Sequence, residues 1–470
     1  MEDHSDFLPF DEEHDNYLIE KFEKMRSSKS VVYFDVEEFE ELIDYYQFDE
    51  NSETVQQIIQ LAKEQHPDST SLLLKEAETL VYTEKKELAV RIVQDISLFV
   101  DSNPEHYFSK ALVLSMANHR EKAIEVLKTL AEITPIEDQE DVKLAIAKEY
   151  QELGDYASAI SDYQTILSHF PNSEDALLEL SLTCELAGRN DEAISFINEF
   201  IDNNPYSHLA WFSAGNMYLS VENYEKAIWA FEYAILINED FPEASFNMGN
   251  AYMKVENYEL AIEAYKNSIT YGYADPITYN FIGHCYIVLE QNETALEYFQ
   301  LAVDQNPEYA DGWLGFAVAY SNLNNSSEGL LYIEKAVKIN PDNMYYRYFQ
   351  ADLFMNIGKE EEAEKLYQKV YESNLDNKGI FMDYAESLII NLKEEKALEV
   401  LVDGISKHPE ESILYYRYAA LMLALGHELD AESILFLALE IDPDKSSQFF
   451  DFYPDAGKYE GIMDLIENYK

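Results

Sequence analysis

Small residues return every 34 positions along this chain. Gly215, Gly249, Gly283, Ala317, Ala351, Ala385 and Ala419 hold seven consecutive places at that interval. Ala159, Ala193, Ala227, Ala261, Ala295, Gly329, Ala363, Ala397 and Ala431 hold nine more in a second register. Pro171, Pro205, Pro307, Pro341, Pro409 and Pro443 lie multiples of 34 apart, Pro242 and Pro276 repeat the interval, and Gly154, Gly188, Gly358 and Gly426 share a phase. A fixed period of this length means one supersecondary unit copied along the chain. A single unit cannot bury its apolar faces, and stacked neighbours do that for it.

Each period carries two helical patterns. Apolar residues recur at helical spacing from Leu209 to Leu219 and again from Tyr224 to Ile237. Asn or Gly in the short break suits a left-handed C-cap, and proline near the end of the period stops the second helix. Extending the phase gives units starting near Val36, Thr70, Pro104, Glu140, Glu174, His208, Pro242, Pro276, Ala310, Met344, Lys378 and Ser412, with two residues inserted around Asp138. Twelve units then fill residues 36–445. The first is atypical, with Ile43 and Val55 where small residues belong. Residues 1–35 read as an acidic, mobile tail (1–16) and a short lead-in helix from Asn16 to Met25. Residues 446–470, with Phe449, Phe450, Phe452 and Tyr453, read as a C-terminal capping helical segment.

These units resemble the tetratricopeptide repeat, whose 34 residues run W-x2-L-G-x2-Y, then A-x3-F, then P. Trp211, Ala214, Gly215, Tyr218, Ala227 and Phe231 stand in those places, as do Tyr279, Ile282, Gly283, Tyr286, Ala295, Phe299 and Pro307. Trp313, Phe316, Ala317, Tyr320, Gly329, Ile333 and Pro341 form a third copy. The resemblance implies an all-α, right-handed α-solenoid, similar to the long arrays of bacterial cytoplasmic proteins. It also implies a role in binding other proteins on the inner, concave face lined by the first helices.

Chemistry of other kinds finds no footing. Thirty-three basic against 91 acidic residues leave a formal charge of -58. That opposes nucleic acid, whose phosphates demand Lys and Arg, and anionic membranes for the same reason. No apolar run reaches the ~18 residues of a membrane span, and the N-terminus has no signal-peptide pattern, so the expected location is cytoplasmic. No phosphate loop, dinucleotide fingerprint, nucleophile elbow or zinc-protease motif occurs. Enzyme activity, metal and cofactor are therefore not expected. The two cysteines, Cys184 and Cys285, read as small core residues. With so many carboxylates, pairs of acids read as solvated surface.

The helix wheel separates two faces of each first helix. Places four, seven, eight and eleven of a unit share one side and pack; places two, five, nine and twelve lie opposite and should face a groove. On that basis the candidate partner-binding residues are Phe212, Asn216, Phe246, Asn247, Asn250, Asn280 and His284. Apolar groups not needed for packing mark a binding surface, and a row of amides can hydrogen-bond an extended peptide's main chain without demanding a sequence. Place five of the twelve units never carries Lys, so the resemblance does not extend to family members that clamp acidic chaperone tails.

The reading is a non-catalytic scaffold or adaptor that holds an extended, neutral-to-basic segment of another protein. The alternative is an acidic chaperone or assembly factor that shields a basic client through charge alone. The sequence leaves open the partner, the oligomeric state and whether the N-terminal tail, with Phe7-Leu8-Pro9-Phe10, occupies the groove.

Overall fold

The computed structural model describes residues 12–28, 32–48, 52–83, 85–96, 103–375 and 377–469. The expected tail through Asp11, with the Phe7–Phe10 stretch, lies outside them. The chain divides into two compact units, residues 1–237 and 238–470.

In the first unit, helix α1 (Glu12–Ser28) precedes six helix pairs. They are α2 (Val36–Phe48) and α3 (Ser52–Gln65), α4 (Thr70–Tyr82) and α5 (Lys86–Ile96), α6 (Pro104–Met116) and α7 (Arg120–Ile133). Next come α8 (Glu140–Glu152) and α9 (Tyr156–His169), α10 (Glu174–Leu186) and α11 (Asn190–Asn203), α12 (His208–Ser220) and α13 (Tyr224–Ile237). Helix α1 is longer than the expected lead-in helix and buries Leu18 and Phe22 with Phe34, Phe39 and Leu42. Ile43 and Val55 are buried in the same cluster, so the first pair closes over branched side chains instead of small ones. The two residues inserted around Asp138 are absorbed by a 3-10 turn, Ile136–Asp138.

The second unit begins with α14 (Pro242–Lys254) and α15 (Tyr258–Thr270), α16 (Pro276–Val288) and α17 (Asn292–Gln305), α18 (Ala310–Asn322) and α19 (Ser326–Ile339). It continues with α20 (Met344–Asn356) and α21 (Glu360–Glu372), α22 (Gly379–Ile390) and α23 (Glu394–Lys407), α24 (Ser412–Ala424) and α25 (Glu428–Ile441). Two short helices, α26 (Ser446–Phe452) and α27 (Glu460–Tyr469), follow. With the 3-10 turn between them, Pro454–Lys458, they bury Phe449, Ala456, Ile462 and Ile466 against Tyr416, Leu435 and Leu439 of the last pair. First helices thus start where the 34-residue phase places them, except that α22 begins one residue late. The described residues contain no strand, and the architecture is an all-α solenoid of helix-turn-helix repeats.

Three devices recur from repeat to repeat. The break between paired helices is left-handed at Asn118, Gly154, Gly188, Glu222, Glu256, Glu290, Asn324, Gly358, Leu392 and Gly426, one position in ten consecutive repeats. Glycine and asparagine suit it; the three glutamates and the leucine are held there by the packing of the flanking helices, against a steric cost. Second, a side chain at place four reaches back to the carbonyl of the proline six residues earlier. Trp211 Nε1 donates to Pro205 at 3.0 Å, Trp313 Nε1 to Pro307 at 2.8 Å, Tyr415 Oη to Pro409 at 3.1 Å, and Arg347 does the same to Pro341. Third, glycine at place eight lets an aromatic ring of the paired helix lie on the backbone: Phe231 on Gly215, Tyr265 on Gly249, Phe299 on Gly283.

Candidate functional site

On α10 and α12 the wheel's packing face is the one the structure buries, whereas at place five, expected to face the groove, Leu74, Leu144, Asn280, Leu314 and Tyr416 are buried too. On α10 the buried residues are Ala176, Leu177, Leu180, Ser181, Thr183 and Cys184; on α12 they include Trp211, Ala214, Gly215 and Tyr218. In the first unit this leaves Phe212 and Asn216 half-buried on the far side of α12. The Phe212 ring leans on Phe231, centroids 5.9 Å apart.

In the second unit Phe246, Asn247 and Asn250 share the corresponding face of α14, all half-buried. Phe246 is held by Tyr265, Tyr273 and Phe281, with centroids 5.6, 5.1 and 6.0 Å away. The Tyr265 hydroxyl donates to Asn250 Oδ1 at 2.7 Å, so the carbonyl of this amide is engaged inside the repeat and its two N–H donors remain. Burial pushes the Tyr265 phenol well above its ordinary range, which keeps it a donor. Asn280 sits differently. It is only 3% exposed, close to Tyr309 at the start of the neighbouring repeat, and its Oδ1 has no partner. The amides of α14 and α16 therefore do not form one uniform open row. His284 lies edge-on to Phe299 at 5.6 Å, and burial lowers its pKa while Asp311 acts in the opposite sense.

Acid–tyrosine pairs, which the sequence reading did not single out, join first helices to one another and to second helices, and two second helices to each other, further along this unit. Tyr346 Oη donates to Asp311 at 2.6 Å, Tyr367 Oη to Asp352 at 2.6 Å, Tyr371 Oη to Asp403 at 2.9 Å, and Tyr348 Oη to Asp383. Burial pushes the Asp352 carboxyl up to about 7; the Tyr367 hydrogen bond opposes this and the nearby Asp383 adds to it. Burial raises Asp383 as well. A spacing signal existed: Asp311 and Tyr346, like Tyr348 and Asp383, are 35 residues apart, one repeat plus one.

The cysteines are core residues. Burial raises the Cys184 thiol to about 11 and the Cys285 thiol to about 12, and Cys285 Sγ lies 3.1 Å from Met253 Sδ. Among the described residues no three His, Cys, Asp or Glu side chains form a group that could hold a metal ion. No helix there is long and apolar enough to cross a membrane.

Fold and repeat geometry define an α-helical repeat protein. Models of the tetratricopeptide repeat match residues 144–208, 246–310 and 314–377, and a TPR repeat model matches 215–256. The chain is a multi-repeat tetratricopeptide protein. No curated protein sequence matches it. Among solved structures, the Cut9–Hcn1 hetero-tetramer of the APC/C is 12% identical over 91% of this chain and 94% of its own, with a TM-score of 0.43. YrrB, described as a TPR protein with an unusual peptide-binding site, is 21% identical over 39% and 95%, TM-score 0.35. Pseudomonas aeruginosa PilF is 16% identical over 43% and 92%, TM-score 0.38.

Proposed function

We propose that this chain is a non-catalytic, cytoplasmic interaction scaffold that holds an extended, neutral-to-basic segment of another protein on the non-packing faces of its first helices. One observation carries the reading: Phe246, Asn247 and Asn250 stay half-exposed on the side of α14 opposite its buried Ala244, Gly249 and Ala251. The aromatic ring offers an apolar contact, and the Asn250 amide keeps its donors for a partner's carbonyl because Tyr265 fixes its orientation. Phe212 and Asn216 present the same two chemistries in the first unit. Asn280 and the half-buried His284 continue this surface on α16, Asn280 being the more deeply set. Residues 446–470 close the array as a cap and residues 1–35 lead into it.

Capture from lysate of the source cells, with wild type beside Phe212→Ala/Asn216→Ala/Asn250→Ala, tests the proposal. One protein retained at high salt by wild type and lost by the variant supports it. The net charge of -58 favours the second reading, a charge-based shield for a basic client. Equal capture by both forms that collapses in salt would establish that reading instead.

A further inference from the structure

Helix α10 carries leucines on its solvent side as well as on its packed side. Its buried arc, from Ala176 to Cys184, packs within the repeat. Opposite that arc stand Leu178, Leu182 and Leu186, which are 43, 46 and 55% exposed. At about 100° per residue their spacing of four makes a single ridge along the helix, centred half a turn from the buried face. An amphipathic helix turns its apolar stripe to the core and polar residues to water, yet this ridge of three leucines is left outside by its own fold. Nothing in the repeat's packing requires leucine at these three places: α14 carries Phe246, Asn250 and Lys254 there. Two repeats earlier, Leu112 of α6 is 46% exposed at the same place as Leu182.

Charge decides what covers the ridge. Glu174, Asp175, Glu179 and Glu185 flank it, and α10 carries no basic residue. Among the described residues, Glu179 alone of these four pairs with a cation of another repeat, Lys148 at 3.5 Å. A second copy of a chain with net charge -58 would bring like charges to the same edge. The chain's own first eleven residues hold Glu2, Asp3, Asp6 and Asp11 and no Lys or Arg, so they are repelled in the same way. A ridge of every fourth residue is matched by an equivalent ridge on another helix. An extended strand crossing the repeats would instead meet Leu112, Lys148, Leu182 and Asn216 in turn.

We propose that the Leu178–Leu182–Leu186 ridge of α10 docks an amphipathic helix of a partner protein, with leucine-like side chains on one face and Lys or Arg along its edges. The proposal rests on the binding role argued above but not on the residues named there.

The test uses the full chain and a fluorescent 14-residue Leu/Lys peptide whose leucines lie on one helical face. A scrambled peptide of the same composition, with leucines spread around the helix, is the comparison. Binding is measured by anisotropy at 150 and 500 mM salt. The facial peptide is expected to bind at least tenfold more tightly than the scrambled one at 500 mM. Leu178→Gln/Leu182→Gln/Leu186→Gln should remove that preference, with circular dichroism unchanged because the three side chains are exposed. Leu331→Gln, the same change at a 55%-exposed leucine of α19, should leave it intact, as should Phe246→Ala/Asn250→Ala. Loss with the Phe246/Asn250 variant alone would place the peptide on the surface proposed earlier and overturn the α10 site. Equal binding of both peptides, or no binding, would overturn it too. So would a Leu182-dependent dimer in sedimentation, or binding that emerges only after deletion of residues 1–11, since each names a different occupant.

Discussion

A methyl group added at Gly283 should cost stability, although alanine is the better helix former. An ideal Cβ there would stand 2.5 to 2.8 Å from three ring atoms of Phe299, where carbon atoms in contact normally keep about 3.5–4.0 Å. The ring cannot swing away. It is fully buried, and its other neighbour, Gly315 of α18, approaches it even more closely. Overpacking of this kind costs about 1–3 kcal/mol, against a helix-propensity gain of about 1 kcal/mol. With the ring pinned on both sides the upper part of the range applies, so Gly283→Ala should lose about 1–2 kcal/mol. Phe299→Leu in the same chain should recover part of the loss, since Ala385 faces Leu401 and Ala419 faces Leu435 at the same sixteen-residue offset. Ala147 with Tyr163 and Ala351 with Tyr367 show that alanine fits where a repeat is built around it, so the cost is one of fit. Because a repeat array need not unfold in one step, the assay is native-state hydrogen exchange of amides in α16 to α19. A loss of 1.4 kcal/mol corresponds to tenfold faster exchange of amides that exchange through the affected opening. Exchange unchanged or slower in Gly283→Ala would refute the reasoning.

Other consequences follow from the same geometry. Glu222→Gly, Glu256→Gly, Glu290→Gly and Leu392→Gly should each stabilise by about 0.5–1 kcal/mol by relieving a left-handed backbone, seen as a cumulative rise in melting temperature; a fall would show that the turns are not strained. Trp313→Phe removes the 2.8 Å bond to Pro307 and should cost about 1 kcal/mol in a urea titration, with no change if that bond is idle. Asp352 supplies a pH dependence: its folded pKa of about 7 exceeds the ordinary 3.8, so its contribution to stability is complete below pH 3.8 and is lost as pH rises through 7. The difference amounts to at most about 4 kcal/mol, and Asp352→Asn should therefore gain on wild type between pH 5 and pH 8. An equal pH response in both proteins would contradict it.

Much of this fold was legible because the repeat turns a weak local signal into a phase. Small residues at 34-residue intervals placed nearly every first helix to the residue. Turn chemistry was legible only in part: Gly188 and Asn324 announce a left-handed break, whereas Glu222 and Leu392 adopt it because the flanking helices impose it. The wheel assigned the faces of α10, α12 and α14, but it describes one helix at a time. It could not see Tyr309 arriving from the next repeat to cover Asn280, nor the Tyr265 hydroxyl taking the Asn250 carbonyl. Acid–tyrosine pairs were hidden for a different reason. In a chain with 91 carboxylates a single aspartate is uninformative, and only two of the four pairs, Asp311–Tyr346 and Tyr348–Asp383, share a spacing of one repeat plus one.

Photocrosslinking tests the central claim most directly. A photoreactive residue would be placed at Asn216 and Asn247, on the non-packing faces of first helices, and at exposed Leu301 and Leu331 on second helices. Each variant would be irradiated with the captured partner at high salt. The account predicts crosslinks to one continuous segment of the partner from Asn216 or Asn247 and none from Leu301 or Leu331. Crosslinks from the second helices alone, or from all four positions to scattered sites, would contradict it.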